Sequence, residues 1–329
     1  MKPLRIFIIL AALVFAAIGF LGYRKKFPEP VSKQEVIPDI EPKVLLPDPP
    51  APVALGHDPL GHDPLETIDE VRRFFSKGHD KFPIVETIAY KSRTPWIEGR
   101  PAWLADYAAH FQTSRHFIAR SLNGKVDYET QKVAPGDKFN VFKEGAAVEF
   151  YLLVDLSRCV MDFYYLDLDR DERVFVKRYK VGVGRKDPRS PSGSLTPTGK
   201  YRLGDKIAVY KPGMQHYYQN QKVDMIRVYG TRWLPFSEEI SDCTDGARGY
   251  GIHGLPWHPI DGTDNLIETG ELGTYASDGC IRLVKEDMEE LFAIVITKPT
   301  TVEIVPQRAK AHLPMGKERI FEDDGHAAR

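Results

Sequence analysis

The chain has 329 residues, 42% hydrophobic and 28% charged, long enough for one large domain and a smaller one. With 45 basic against 46 acidic residues the net charge is −1, which excludes a polycation that wraps nucleic acid. A mean hydropathy of −0.34 excludes a multi-span membrane protein. Three cysteines are too few for a disulfide-framed scaffold, and the odd count leaves at least one thiol without an internal partner.

From Ile6 to Tyr23 the chain carries no charge, with Lys2 and Arg5 before the run and Arg24, Lys25 and Lys26 after it. About 18 apolar residues just reach the length of a spanning helix. With no small-x-small cleavage site and no lipobox cysteine, residues 1–26 read as an uncleaved transmembrane anchor rather than a signal peptide. Positive charge is slightly heavier on the C-terminal flank, which by itself favours a cytoplasmic body; the chemistry of the C-terminal half requires the opposite side. Residues 27–66 form a proline-rich linker, holding ten of the 25 prolines between positions 28 and 64. Proline fixes φ and removes a donor, so this stretch is a semi-extended tether, on the order of 100 Å if fully stretched. A tandem GHDPL places His57 and His62 five residues apart, read as a solvated repeat.

Residues 67–83 predict a short amphipathic helix. Thr67 and Glu70 have capping-box spacing, Ile68, Val71 and Phe75 share a face, and Gly78 ends the run. Residues 84–145 predict a strand, two helices and a strand. IVETIAY is β-branched; Leu104, Tyr107, Ala108 and Phe111 share one helical face and Phe117, Ile118 and Leu122 another; Pro135-Gly136-Asp137 turns into Lys138–Phe142. LADYAAHFQTSRHFIARSLNG and VAPGDKFNVF resemble the LysM module. That resemblance implies a small α+β βααβ fold that binds glycan strands containing N-acetylglucosamine.

From Glu149 the texture becomes strand-like: EFYLLVDLS, VMDFYYLDLD, VFVKRYKVGVG, KYRLGDKIAVY, DMIRVYG, GYGIHG and TVEIV. One helix is clear, with Met288, Leu291, Phe292 and Val295 on one face and Glu286 and Asp287 in its first turn. Residues 146–306 therefore predict a mainly β domain, and the charged residues 307–329 a frayed tail. Within the domain, Gly249-Tyr250-Gly251-Ile252-His253-Gly254 and Ser277-Asp278-Gly279-Cys280-Ile281-Arg282-Leu283 carry the chemistry. A thiolate becomes a nucleophile when an imidazolium or backbone N–H groups stabilise it. Glycine before Cys280 lets the Gly279 and Cys280 N–H groups turn toward one oxyanion. Cys–His pairs from separate segments perform acyl transfer, although a cysteine and a histidine within one domain are more often structural.

The full strings resemble the L,D-transpeptidase catalytic (YkuD) domain. The matching pieces are His253-Gly254, then Ser277-x-Gly279-Cys280-Ile281-Arg282-Leu283, with Thr196-Pro197-Thr198-Gly199 and Val181-Gly182-Val183-Gly184 upstream in family order. The resemblance implies a YkuD-like β-sandwich with a short helix, and a cysteine acyltransferase acting on peptidoglycan stem peptides without cofactor or metal. Cys280 is then the nucleophile. His253 holds its thiolate as an imidazolium, oriented by the Gly254 carbonyl. The Gly279 and Cys280 N–H groups form the oxyanion hole. Arg282 binds a substrate carboxylate or braces the loop, and Ser277 supports the loop. The third stem residue forms a thioester with release of D-Ala and passes to an amine acceptor, giving a 3-3 crosslink or protein attachment. Hydrolysis of the same thioester (carboxypeptidase or amidase) and a wall-binding protein are the alternatives; an unrelated cysteine peptidase would place its Cys before its His. The implied location is the cell envelope, with the body outside the cytoplasmic membrane.

Two departures from the family pattern stand out. Asp278 replaces a histidine common in members, and either raises the His253 pKa or points into solvent. His253 stands 27 residues before Cys280, farther than in compact members, so residues 257–273 read as a lid or substrate-shaping wall lined by Trp257, His258 and Tyr275. Cys159 reads as a small buried hydrophobe in a strand, with a disulfide to Cys243 disfavoured; His216 reads as a surface residue of a loop.

Overall fold

The computed structural model describes residues 64–123, 132–218, 220–260, 263, 265–314 and 316–320. The expected anchor, most of the linker and the last nine residues lie outside them; no helix among the described residues is long and apolar enough to cross a membrane.

After a 3-10 turn (Pro64–Glu66) come α1 (Arg72–Phe75), β1 (Val85–Ala89), α2 (Leu104–His110), α3 (Arg115–Asn123) and β2 (Lys138–Phe142). β1 and β2 pair antiparallel from Val85↔Phe142 to Ala89↔Lys138. The order is strand, helix, helix, strand, as the periodicity predicts; no family match extends to it. The capping box expected at Thr67–Glu70 does not form. Asp69 bridges Lys177, the Glu70 N–H donates to the Val176 carbonyl at 2.8 Å, and α1 begins at Arg72 without a side-chain cap. Pairing with a strand wins over a local helix start.

The small module has its own cluster of Tyr107, Ile118, Phe139 and Val141, yet it also shares a core with the larger β domain. Fully buried Phe74 touches Phe117 and Phe142 on the module side and Phe150, Phe163 and Tyr165 on the other, ring centroids 6.1–6.3 Å apart. Burying such a ring stabilises by about 1.5–3 kcal/mol, so α1 fixes the module on the main sheet.

The main domain runs β3 (Val148–Asp155), β4 (Val160–Asp167), β5 (Glu172–Lys180), β6 (Val183–Gly184), β7 (Gly199–Leu203), β8 (Ala208–Val209), β9 (Gln215–Tyr218), β10 (Gln221–Asp224), α4 (Ile226–Tyr229), β11 (Arg232–Ser241), β12 (Gly251–Gly254), β13 (Trp257–Pro259), β14 (Leu266–Glu268), β15 (Tyr275–Ser277), β16 (Ile281–Leu283), α5 (Lys285–Val295), β17 (Thr300–Val305) and β18 (Lys317–Arg319). Ten strands form one mixed sheet in the order β16-β12-β11-β7-β17-β3-β4-β5-β18, with β8 on β11. β11 changes partners midway: Trp233 to Pro235 pair with β12, and from Phe236 it pairs with β7 through two register shifts. Met288, Leu291 and Phe292 of α5 share one buried core with residues from both ends of this sheet.

Three expectations are corrected. DMIRVYG, read as a strand, ends β10 at Asp224 and then makes the single turn α4; an apolar run this short suits either form, and the Val228 and Tyr229 N–H groups close on the Met225 carbonyl. Cys159 is buried but lies in the β3–β4 turn at φ 51°, not in a strand, and it and Cys243 are both free thiols. Residues 307–314 and 316–320 are not frayed. The Arg308 N–H donates to Asp155 and its guanidinium to the Tyr164 hydroxyl at 2.9 Å, the His312 N–H donates to Glu303 at 2.8 Å, Leu313 packs on the second face of the sheet, and β18 pairs parallel with β5. With this cover β3 and β4 are buried along nearly their whole length, on both faces, rather than alternating between core and solvent as EFYLLVDLS suggests.

Candidate active site

β12 and β16 are neighbouring parallel strands, with Ile252 opposite Ile281 and His253 opposite Arg282. Cys280 directly precedes β16. Side chains alternate along a strand, so Cys280 and Arg282 face the same side, and His253 shares it. The electrostatics agree: Arg282 is charge-coupled to Cys280 and in turn disfavours protonation of His253. Two segments distant in sequence are thus brought to one sheet edge by register.

His253 is buried, 3% exposed. Its Nδ1 lies 2.7 Å from the Gly254 carbonyl, and the Tyr229 carbonyl also faces the ring. A ring nitrogen held by a carbonyl must carry the hydrogen, which leaves the Nε2 lone pair for chemistry. The Tyr229 ring meets the imidazole edge-on at 5.2 Å, with Trp233 at 5.9 Å. Burial, and next Arg282, push the His253 pKa down to about 3, against the pull of the two carbonyls. Burial pushes the Cys280 thiol up to about 12, opposed by the Gly251 N–H and Arg282 and assisted by Asp278. Burial thus disfavours each charge taken alone, against the thiolate–imidazolium pair that the resemblance implies.

The nucleophile loop is braced from both sides. The Ser277 hydroxyl donates to the Cys280 carbonyl at 2.6 Å and accepts the Gly279 N–H at 3.1 Å. The Thr196 hydroxyl donates to the Gly279 carbonyl at 2.8 Å and accepts the Gly184 N–H at 2.7 Å. Gly279 has φ 127°, and a Cβ there would stand 2.5 Å from Tyr250 Cε1 and 2.7 Å from the Leu195 carbonyl, so only glycine fits. The expected oxyanion hole changes accordingly. The Gly279 N–H is used within the loop, and the Cys280 N–H has no hydrogen-bond partner among the described residues.

Arg282 exchanges both backbone hydrogen bonds with Gly182 at 2.9 Å, while its side chain makes no ion pair among the described residues and its Nε is buried without a partner. Ser277 and Thr196 brace the loop through their hydroxyls. Asp278 points outward to Arg185, 2.6 Å away and exposed, rather than toward His253. Tyr275 is corrected: its hydroxyl donates to the Leu156 carbonyl at 2.6 Å and its ring lies beneath Lys186, so it packs on the β3–β4 turn and not on the insertion. The insertion is the β13–β14 hairpin. Trp257, half-buried, joins Asp224, Arg227 and Lys222 around a groove of about 550 Å³ between this hairpin and β9–β10. His258 and His216 are exposed strand residues of those hairpins.

Sequence reasoning missed the roles of Thr196, Tyr229, Trp233 and Gly251. Thr196 stood within the quoted Thr196–Gly199 motif; the aromatics carried no spacing signal. Among the described residues no group of three His, Cys, Asp or Glu side chains is placed to hold a metal.

Residues 149–304 match the family model of the L,D-transpeptidase catalytic domain, YkuD. No curated protein matches the chain. Similar solved structures include Bdellovibrio bacteriovorus Bd1075, at TM-score 0.33 and 15% identity over 50% of each chain. The helical cell shape determining protein Pgp2 from Campylobacter jejuni gives 0.31 and 20%, over 48% of this chain and 47% of that one. L,D-transpeptidase 3 from Mycobacterium tuberculosis gives 0.28 and 14%, over 52% and 76%. The match spans about half the length of the first two. Residues 149–304 are an L,D-transpeptidase catalytic (YkuD) domain.

Proposed function

We propose that this protein is a peptidoglycan L,D-transpeptidase that works through a Cys280 thioester. The observation that carries the reading is the shared edge of β12 and β16, which aligns His253, tautomer fixed by Gly254, with Cys280 and an unpaired Arg282. The thiol sulfur attacks the carbonyl of the third stem residue while neutral His253 Nε2 takes its proton. Burial disfavours both charges, which makes proton transfer part of the attack rather than a step before it. The Cys280 N–H receives the oxyanion. Collapse breaks the amide, and D-Ala leaves with the proton returned from His253. An acceptor amine then gives its proton to His253 and displaces the sulfur. Arg282 pairs with a stem carboxylate, charge-assisted and out of bulk water.

In its proposed setting, the N-terminal apolar run anchors the chain in the cytoplasmic membrane, the proline-rich segment spans toward the wall, and the body lies outside. The small module, with its LysM-like order and a tryptophan, Trp103, left 64% exposed at the start of α2, holds glycan strands.

The test incubates the full chain, and its Cys280→Ala variant, with disaccharide-tetrapeptide and reads products by mass spectrometry. A crosslinked dimer lacking one D-Ala, absent with the variant, is the expected result. Tripeptide without dimer moves the assignment to hydrolysis, and turnover by Cys280→Ala removes the nucleophile.

A further inference from the structure

The bend that exposes Cys280 depends on Gly279, and glycine is the residue least able to hold its own peptide plane still. A peptide next to a glycine at φ 127° rotates readily unless something outside the loop holds it. The plane that matters joins Gly279 to Cys280. Its carbonyl belongs to Gly279 and its N–H to Cys280, and across a trans peptide the two point in opposite directions; no cis peptide occurs among the described residues. Whatever holds the Gly279 carbonyl therefore aims the Cys280 N–H.

That group is Thr196. Its side chain is fully buried, it comes from a segment 83 residues away in sequence, and its hydroxyl donates to the Gly279 carbonyl at 2.8 Å. The hydroxyl is itself held by the Gly184 N–H at 2.7 Å. Gly184 is clamped at its other end by Ser194, whose hydroxyl donates to the Gly184 carbonyl at 3.0 Å and accepts the Thr196 N–H at 3.0 Å. A Cβ on Gly184 would lie 2.4 Å from the Thr196 nitrogen, so the clamp needs glycine there as well. The result is a closed, buried chain of hydrogen bonds from β6 to the nucleophile loop, with every hydroxyl engaged. The Cys280 N–H at its far end points away from this chain and has no partner among the described residues.

We propose that Thr196 is a positioning residue for acyl transfer: by fixing the Gly279–Cys280 peptide it aims the Cys280 N–H at the oxyanion of the tetrahedral intermediate. This rests on Cys280 being an acylated nucleophile but not on the identity of the stem peptide. Removing an oxyanion donor outright costs about 10²–10³-fold in rate; loosening one costs less, on the order of tenfold to a hundredfold.

The test compares wild type, Thr196→Val and Thr196→Ser in the full chain, using two probes of Cys280. The first is an activated aryl ester. The S–C bond forms, the thiol proton passes to His253, an oxyanion develops, and the aryloxide leaves. The second is iodoacetamide, which alkylates sulfur by displacing iodide and develops no oxyanion on carbon. Thr196→Val is expected to slow ester acylation tenfold to a hundredfold, to leave alkylation within about threefold, and to lose acylation rate at saturating ester rather than affinity. Thr196→Ser, which restores the hydroxyl, is expected to recover acylation to within about threefold. Thr196→Val acylating at the wild-type rate overturns the proposal, as does a matching fall in alkylation or a failure of serine to rescue. Wild type that accepts the aryl ester but not a stem peptide leaves Thr196 in place and removes the substrate assignment. Wild type whose Cys280 is alkylated but never acylated removes the positioning role.

Discussion

The Cys280 loop and the β13–β14 hairpin both follow a strand of the site, yet they are built in opposite ways. Ser277 within the loop and Thr196 against it are buried, and their hydroxyls are bonded at 2.6–3.1 Å. In the hairpin, Trp257 and Glu268 stand opposite each other in register, and Trp257 Nε1 and Glu268 Oε1 are both buried without partners. A buried polar atom left unpaired costs about 1–3 kcal/mol. The loop is therefore at a minimum that resists change, while the hairpin keeps two contacts unmade. Positional precision is concentrated at the proposed nucleophile, and unmade contacts at the hairpin beside it.

The harshest way to break the comparison is Gly279→Ala. The added methyl meets Tyr250 and a backbone carbonyl inside 3 Å at a φ that L-residues avoid. Acylation is expected to fall at least about 100-fold, since displacements near 1 Å at a reacting group cost that much, with iodoacetamide labelling falling too because the sulfur itself moves. The same change at Gly145, φ 75° with nothing within 4 Å, carries only the backbone strain and is expected to leave acylation unchanged.

The pH profile sharpens the comparison next. An exposed histidine near pKa 6.5 would lose roughly 30-fold of its neutral form by pH 5. His253, with its pKa lowered to about 3 by burial, stays neutral, so the acylation rate is expected to vary by less than about threefold from pH 5 to 8. A limb near pH 6.5 would place the ring in water. The linked effect on stability has a definite sign. The unfolded chain takes up a proton on this histidine below about 6.5 and the folded chain does not until about 3, so its contribution is present above 6.5 and lost as pH falls through that window.

Ser277→Ala is milder. It leaves the Cys280 carbonyl and the Gly279 N–H without their partner but keeps the Thr196 latch. A loss of about 1–3 kcal/mol is expected from the urea midpoint at unchanged slope, with acylation down about tenfold.

The parts of this site legible in the sequence are those that a short string encodes. Gly279 before Cys280, and glycines on both sides of His253, mark backbone that must bend or approach closely. The βααβ order and α5 were legible because their apolar periodicity is local. What could not be read depends on partners distant in the chain. The capping box at Thr67 lost to a bridge with Lys177, and Tyr275 turned to Leu156 instead of the insertion. The lowered pKa of His253 and the raised pKa of Cys280 could not be read either, because burial, which sets both directions, is a property of the whole fold. Thr196 was visible as a motif residue, but its bond to Gly279 exists only once β6 and the loop are side by side.

The smallest expected effect tests the hairpin directly. Burial raises the Glu268 carboxyl to about 7, with Glu286 adding to the rise and the Lys285 N–H opposing it. The folded state thus favours the neutral acid. Its contribution to holding the hairpin is whole below the unfolded value near 4.5 and is lost as pH climbs through 7. The β13–β14 amides should accordingly exchange hydrogen faster at pH 8 than at pH 6 after correction for the intrinsic rate, while those of β12 and β16 do not change. Glu268→Gln carries no titrating group and should remove the difference, moving the substrate KM by no more than about threefold with kcat unchanged. If the hairpin amides show no pH dependence beyond the intrinsic one, Glu268 is not what holds it. If β12 and β16 loosen in step with it, loop and hairpin form one unit, and the contrast between a fixed nucleophile and an adjustable wall fails.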